Sequence, residues 1–151
     1  MMRVLPFAMV VALIASCAAQ EDPLRRLQQI ADSSNGGDCA RYSIALALRL
    51  VEVGDRQYAD GKVGEAEQII RQTGHYAERG ARCSLESHKH EKDTEINLRK
   101  LSKRLNEVER TLAFEDRPLV HEQAENIDRL REKLLTAMFG GKTADALRTK
   151  P

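Results

Sequence analysis

From Leu24 onward, apolar residues recur at intervals of three and four, the spacing of one face of an α-helix. Leu24, Leu27 and Ile30 mark a short helix, with Asp22 as its cap and Pro23 in its first turn, that ends before Gly36-Gly37. Asp38 is placed to cap a first long helix that runs to about Asp60 and carries Cys39, Leu46, Leu50 and Val53 on one stripe. A turn at about Gly61-Lys62 leads to a second long helix, from Val63 to about Arg82. Its stripe is Ala66, Ile69, Tyr76 and Cys83. A third helix carries Leu98, Leu101, Leu105, Val108 and Leu112, whose alternating steps of three and four make a coiled-coil-type seam. "FEDRP" forms the next corner, with Asp116 as a cap and Pro118 in the first turn of a fourth helix. That helix presents Val120, Ala124, Ile127, Leu130, Leu134 and Met138, and Gly140-Gly141 is expected to end it.

Each long arm is about 20 residues, hence about 30 Å at the helical rise. Matched arms joined by short corners predict an all-α fold: two antiparallel helical hairpins forming a four-helix bundle, with a short extra N-terminal helix. With a corner near Glu115, Leu101 is expected level with Leu130 and Leu98 level with Leu134. The segment 83–93 has neither Pro nor Gly, so two outcomes compete there. A break gives the bundle, and this is the outcome adopted; unbroken helix would fuse the second and third helices into one rod of about 50 residues.

The stretch before the first helix changes the picture. "MMRVLPFAMVVALIASCAAQEDP" carries one charge, Arg3, then an apolar run from Val4 to Ala15 and then small residues. That run is too short to span a bilayer, and its flanks suit a secretory signal peptide over 1–19. Two processing routes fit it. Ile14-Ala15-Ser16-Cys17 is similar to a lipobox, in which Cys17 would be lipidated; cleavage after Ala18 or Ala19 would instead follow the small-x-small rule. On either route the chain is exported, to the periplasm, the medium or an outer-membrane lipid anchor. Residues 20–139 then form a single helical domain and 140–151 a flexible tail.

Export gives the cysteines a meaning. Without Cys17, the pair Cys39 and Cys83 remains in an oxidising compartment. Each lies 22 residues from Gly61. In an antiparallel hairpin, residues equidistant from the turn sit level, so a disulfide between them is predicted.

Charge narrows the partners. Lys plus Arg is 24 against 23 acidic residues, and only Arg3 lies before Gln20, so the exported chain is balanced. This gives no footprint for nucleic acid or an anionic membrane, and membrane contact would come only through a lipid on Cys17.

The stretch around the first turn resembles a tetratricopeptide hairpin. Val53-Gly54 falls where that family has Leu-Gly, with Tyr58 near its tyrosine, Gly61 at its turn glycine, Ala66 at its packing alanine and Ile70 at its second-helix hydrophobe. The resemblance covers residues 47–77. Thr73 stands where a second alanine is usual, the closing proline is missing, and no second copy follows. It implies close helix packing and, through the family, protein binding.

Candidate chemistry is sparse. His88, His90 and Glu91 are the residue types that hold a divalent metal, and histidines two apart can chelate from an extended segment. On a helix they would point about 200° apart and face solvent instead. His75 is expected to pack and His121 to be exposed. No serine stands in a glycine elbow, no phosphate loop or CxxC pair occurs, and no Glu-x-x-His faces a bundle core. No catalytic residue or cofactor is therefore expected. The reading is a non-enzymatic exported protein that binds an unknown protein partner or itself through the seam Leu98, Leu101, Leu105, Val108 and Leu112; the alternative is an exported metal-binding protein using His88, His90 and Glu91.

Overall fold

The computed structural model describes residues 22–148, with side chains through Gly140. The expected signal peptide and Cys17 lie outside the described residues. Within them the chain is all-helical and bundle-like, with no strand: α1 Pro23–Ser33, α2 Gly36–Ala59, α3 Val63–Ser87, α4 Glu91–Thr111, a 3-10 turn at Phe114–Asp116, and α5 Arg117–Arg148. No described helix is long and apolar enough to cross a membrane.

α1 starts as the sequence suggests: the Asp22 carboxylate accepts from Leu24 N at 3.1 Å and Pro23 occupies the first turn. Its end is held from outside. Arg79 Nη2, on α3, donates to the carbonyls of Ala31, Asp32 and Ser34 at 3.3, 3.2 and 3.3 Å, placing a cation where the helix dipole favours one. The Tyr76 hydroxyl donates to Asp32 Oδ1 at 2.8 Å and accepts from Gln28 Nε2 at 3.2 Å. α1 is thus tied to α3 while it lies along α2.

α2 opens three residues earlier than a cap at Asp38 suggests. Asn35 is the extended residue before it, and Gly36 turns the chain inward at φ +56°, a conformation that costs glycine little. Asp38 therefore sits inside the first turn, where its charge still complements the helix N-terminus.

The turn between α2 and α3 is a Schellman cap. Lys62 N reaches Gln57 O at 2.9 Å and Gly61 N reaches Tyr58 O at 3.0 Å, with Gly61 at φ +75°. α3 then runs back along α2, the most extensive helix contact in the chain. Small residues allow the approach: Ala66 is fully buried, and a Cβ on Gly54 would lie 2.8 Å from Ile70 Cδ1. At the far end Cys39 and Cys83 form a disulfide, with Cα atoms 5.9 Å apart. Closing a loop of 44 residues stabilises the fold by about 4 kcal/mol on the chain-entropy estimate.

α3 does not stop near Arg82 but continues to Ser87, because Gly80 and Ser84 serve packing rather than termination. The helix breaks at His88-Lys89-His90, where both histidines take left-handed conformations, φ 55° and 59°. Ser84 Oγ donates to Lys89 O at 2.8 Å, and Lys89 and His90 pack over Gly37. Their neighbours over-determine this local strain. The continuous rod does not form.

α4 and α5 pack against each other, α5 also meets α3, and α4 meets α2. Glu109 and His121 pair near their corner at 3.3 Å, and Glu95 and Arg131 pair at the other end at 3.0 Å. α5 does not end at Gly140-Gly141; it runs on to Arg148. A helical glycine costs about 1 kcal/mol relative to alanine, which is not a stop, and the described glycines with positive φ are Gly36 and Gly61. The core is Leu46, Val51, Ile70, Leu98, Leu101, Leu105, Val108, Val120, Ile127 and Leu134.

Candidate interaction surface

The residues expected to form an interaction seam are core. Leu98, Leu101, Leu105 and Val108 have no exposure and Leu112 has 9%. A heptad-like stripe reports that a helix covers it, not whose helix. Here this chain's own helices cover it, so the seam offers no free surface.

The histidines do not converge. His88 Nδ1 lies 3.2 Å from Glu91 Oε1, while His90 Nδ1 turns to Asp93 Oδ2 at 3.9 Å. No group of three His, Cys, Asp or Glu suited to a metal ion forms among the described residues, so His88, His90 and Glu91 are not assembled as ligands. Each ring instead pairs with the carboxylate three residues further on. His75, expected to pack, is exposed, with its ring edge-on to Tyr76 at 5.2 Å. His121 is exposed as expected, between Glu109 and Glu125.

Apart from Tyr58, the perturbed ionisable groups join helices. Arg104 on α4 donates to Glu52 Oε1 at 2.8 Å and to Asp55, both on α2. The Arg104 hydrogen bond holds the Glu52 carboxyl below its ordinary range, and Glu52 in turn raises Arg104. Burial works against the charge on Arg131, but its hydrogen bonds to Glu95 and Asp128 outweigh that and raise it. Burial pushes the Tyr58 hydroxyl up to about 12, helped by the charges of Glu67 and Asp116. Tyr76 is raised by burial and by its bond to Asp32.

The two most exposed large apolar side chains among the described residues are aromatic, with Ile30 less exposed at 36%. The phenylalanines among the described residues are both outside: Phe114 is 83% exposed and Phe139 is 55% exposed. Phe114 sits on a fixed corner. Leu112 turns inward, Arg117 Nε donates to Leu112 O at 3.0 Å, Asp116 N donates to Ala113 O at 3.1 Å, and Thr111 Oγ1 closes onto Val108 O at 2.8 Å. Leu119, one turn on, packs on the core. The sequence marked this corner by Asp116 and Pro118, but its Phe passed unread. The available signal was a large apolar residue two positions beyond Leu112, off the seam, beside two acids.

No family model matches the chain, and neither a curated protein nor a solved structure matches it.

Proposed function

We propose that this chain is an exported, non-catalytic helical protein that binds another protein through the corner between α4 and α5. The observation that carries this reading is Phe114, a large apolar side chain left 83% in water on a hydrogen-bonded turn. Aromatic anchors of this kind dominate interface energetics when a partner pocket desolvates them, and a fixed corner loses little conformational freedom on binding. The scaffold is two hairpins, α2–α3 and α4–α5, closing as one antiparallel four-helix bundle with α1 laid along α2. The helix pairings and the linking ion pairs support that arrangement. Export is supported by the leader-like N-terminus and by a disulfide of the kind an oxidising compartment sustains.

The test places a photo-crosslinking amino acid at position 114 of the exported chain, with Lys133, exposed on α5, as the control position. A discrete adduct from position 114 alone is expected, at the mass of a partner or of a second copy. Phe114→Ala is expected to weaken that association by about 30-fold, the effect of losing one anchor, with an unchanged unfolding midpoint. Equal adduct yields from both positions would overturn the reading. So would a chain that sediments as a monomer and forms no adduct at all.

A further inference from the structure

The disulfide is asymmetric, and the asymmetry has chemical content. Cys39 is 1% exposed, whereas Cys83 is only half-buried. Both border a groove of about 340 Å³ walled by Ser34, Asn35, Arg79, Arg82, Glu86 and Ser87. Arg79 and Arg82 give the walls two positive charges against one from Glu86. Arg79 Nη2 is already committed to three main-chain carbonyls. Cys39 occupies the first turn of α2, where the positive end of the helix favours a thiolate, and its sulfur lies 3.9 Å from Ser43 Oγ, an available donor.

We propose that the Cys39–Cys83 bridge is a thiol-exchange site with a fixed direction: an external small thiol attacks at Cys83, and Cys39 is the sulfur expelled. The thiolate RS⁻ approaches through the groove and forms a new S–S bond with Cys83 Sγ. The old S–S bond breaks, and its electron pair goes to Cys39, which leaves as the buried thiolate. A second RS⁻ then attacks the R sulfur of the mixed disulfide, releasing RSSR and the Cys83 thiolate. Two RSH supply the two protons of the resulting dithiol, so the protein is reduced and the thiol oxidised in balance. Oxidation by RSSR runs the same steps backward, again with the mixed disulfide on Cys83. Attack on the accessible sulfur is the faster of the two routes. The groove suits an anionic thiol such as glutathione, whose carboxylates meet Arg82. This inference uses the disulfide's surroundings alone and stands apart from the binding role given to Phe114.

The experiment uses the oxidised full chain under native conditions. Reduced glutathione is added in excess, the exchange is quenched with acid at short times, free thiols are alkylated with N-ethylmaleimide in acidic urea, and the mixed disulfide is located by peptide mass. Glutathione on Cys83 with an alkylated Cys39 is the expected pattern, and the reverse pattern or an even split overturns the proposal. Single-thiol chains give the second measurement, Cys39→Ser and Cys83→Ser, each also carrying Cys17→Ser. Oxidised glutathione is expected to label Cys83 at least about ten-fold faster than Cys39 in the folded chains, with the rates level in urea. Equal native rates, or a faster Cys39, overturn it.

Discussion

Replacing glycines by alanine tests the α2–α3 contact directly, because two opposing effects have known sizes. In an open helical position, alanine is favoured over glycine by about 0.5–1 kcal/mol. Gly64, in the first turn of α3, has nothing within 4 Å of where a Cβ would stand, so Gly64→Ala is expected to stabilise by about that amount. Gly80 lies in the same helix with the same propensity to gain. There the new Cβ would fall 2.6 Å from Ile44 Cγ1, 2.8 Å from Ile44 Cδ1 and 3.2 Å from the main-chain oxygen of Ala40. Carbons rest at about 3.5–4.0 Å, so the two helices must part by nearly 1 Å or Ile44 must leave its rotamer. Ile44 is 2% exposed and has little free space to move into. Overpacking of this kind costs about 1–3 kcal/mol, so the net effect of Gly80→Ala is destabilisation by about 1–2 kcal/mol. Ile44→Ala removes both Cγ1 and Cδ1; combined with Gly80→Ala, it is expected to recover about 1 kcal/mol as coupling in a double-mutant cycle. The readout is urea unfolding followed by helical circular dichroism, taking midpoints at unchanged slope. A Gly80→Ala chain as stable as Gly64→Ala, with no coupling to Ile44, would refute the close approach of α2 and α3.

Alkaline unfolding should report Tyr58, whose hydroxyl is buried without a hydrogen-bond partner among the described residues. Its pKa is raised from 10 to about 12, so its contribution is complete below pH 10 and is lost as pH rises toward 12, where the unfolded chain ionises first. The loss is about 2–3 kcal/mol; Tyr58→Phe should flatten that decline without lowering neutral-pH stability, and a variant as steep as the parent would contradict the assignment. Leu105→Ala should cost about 2–5 kcal/mol in unfolding and leave the sedimentation coefficient of the folded chain unchanged. A change in association at unchanged stability would return the seam to the surface.

The helices and their inward faces were legible because burial repeats with the helical period: Leu46, Leu98, Leu101, Leu105, Ile127 and Leu134 all fall on the stripes read from the pattern or in phase with them. The symmetry of Cys39 and Cys83 about Gly61 carried the disulfide, since distance along an antiparallel pair is fixed by rise alone. Ends were less legible. Gly36 rather than Asp38 opens α2, and Gly140-Gly141 lies inside α5, because glycine signals a stop only where the backbone needs positive φ. The break at His88-Lys89-His90 has no such marker; Ser84, five residues before Lys89, and Gly37, distant in sequence, fix it. The links Arg104 to Glu52 and Arg131 to Glu95 were invisible for the same reason: charge pairs between helices leave no periodic trace. The seam was misassigned and Phe114 overlooked through one ambiguity. Periodicity ranks positions by how well a helix can cover them, and a lone exposed aromatic lies outside that ranking.

The position of Phe114 ties the binding reading to how the N-terminus is processed. The charge of Asp116 acts on Tyr58, so the α4–α5 corner and the Gly61 turn share one end of the bundle, opposite the disulfide. α1 runs counter to α2. Asp22 and Pro23 border a groove with Val53 and Arg56, one turn short of where α2 ends, so the described chain also begins toward the Phe114 end. Cys17 is five residues before Asp22, a reach of at most about 17 Å. A lipid on Cys17 would hold that end near the bilayer and restrict Phe114 to partners at the membrane surface. Cleavage after Ala18 or Ala19 would leave the same corner open to soluble partners. If the chain is exported and Phe114 binds as proposed, its intact mass, which reports any cleavage point and acyl chains, decides where a partner is to be sought.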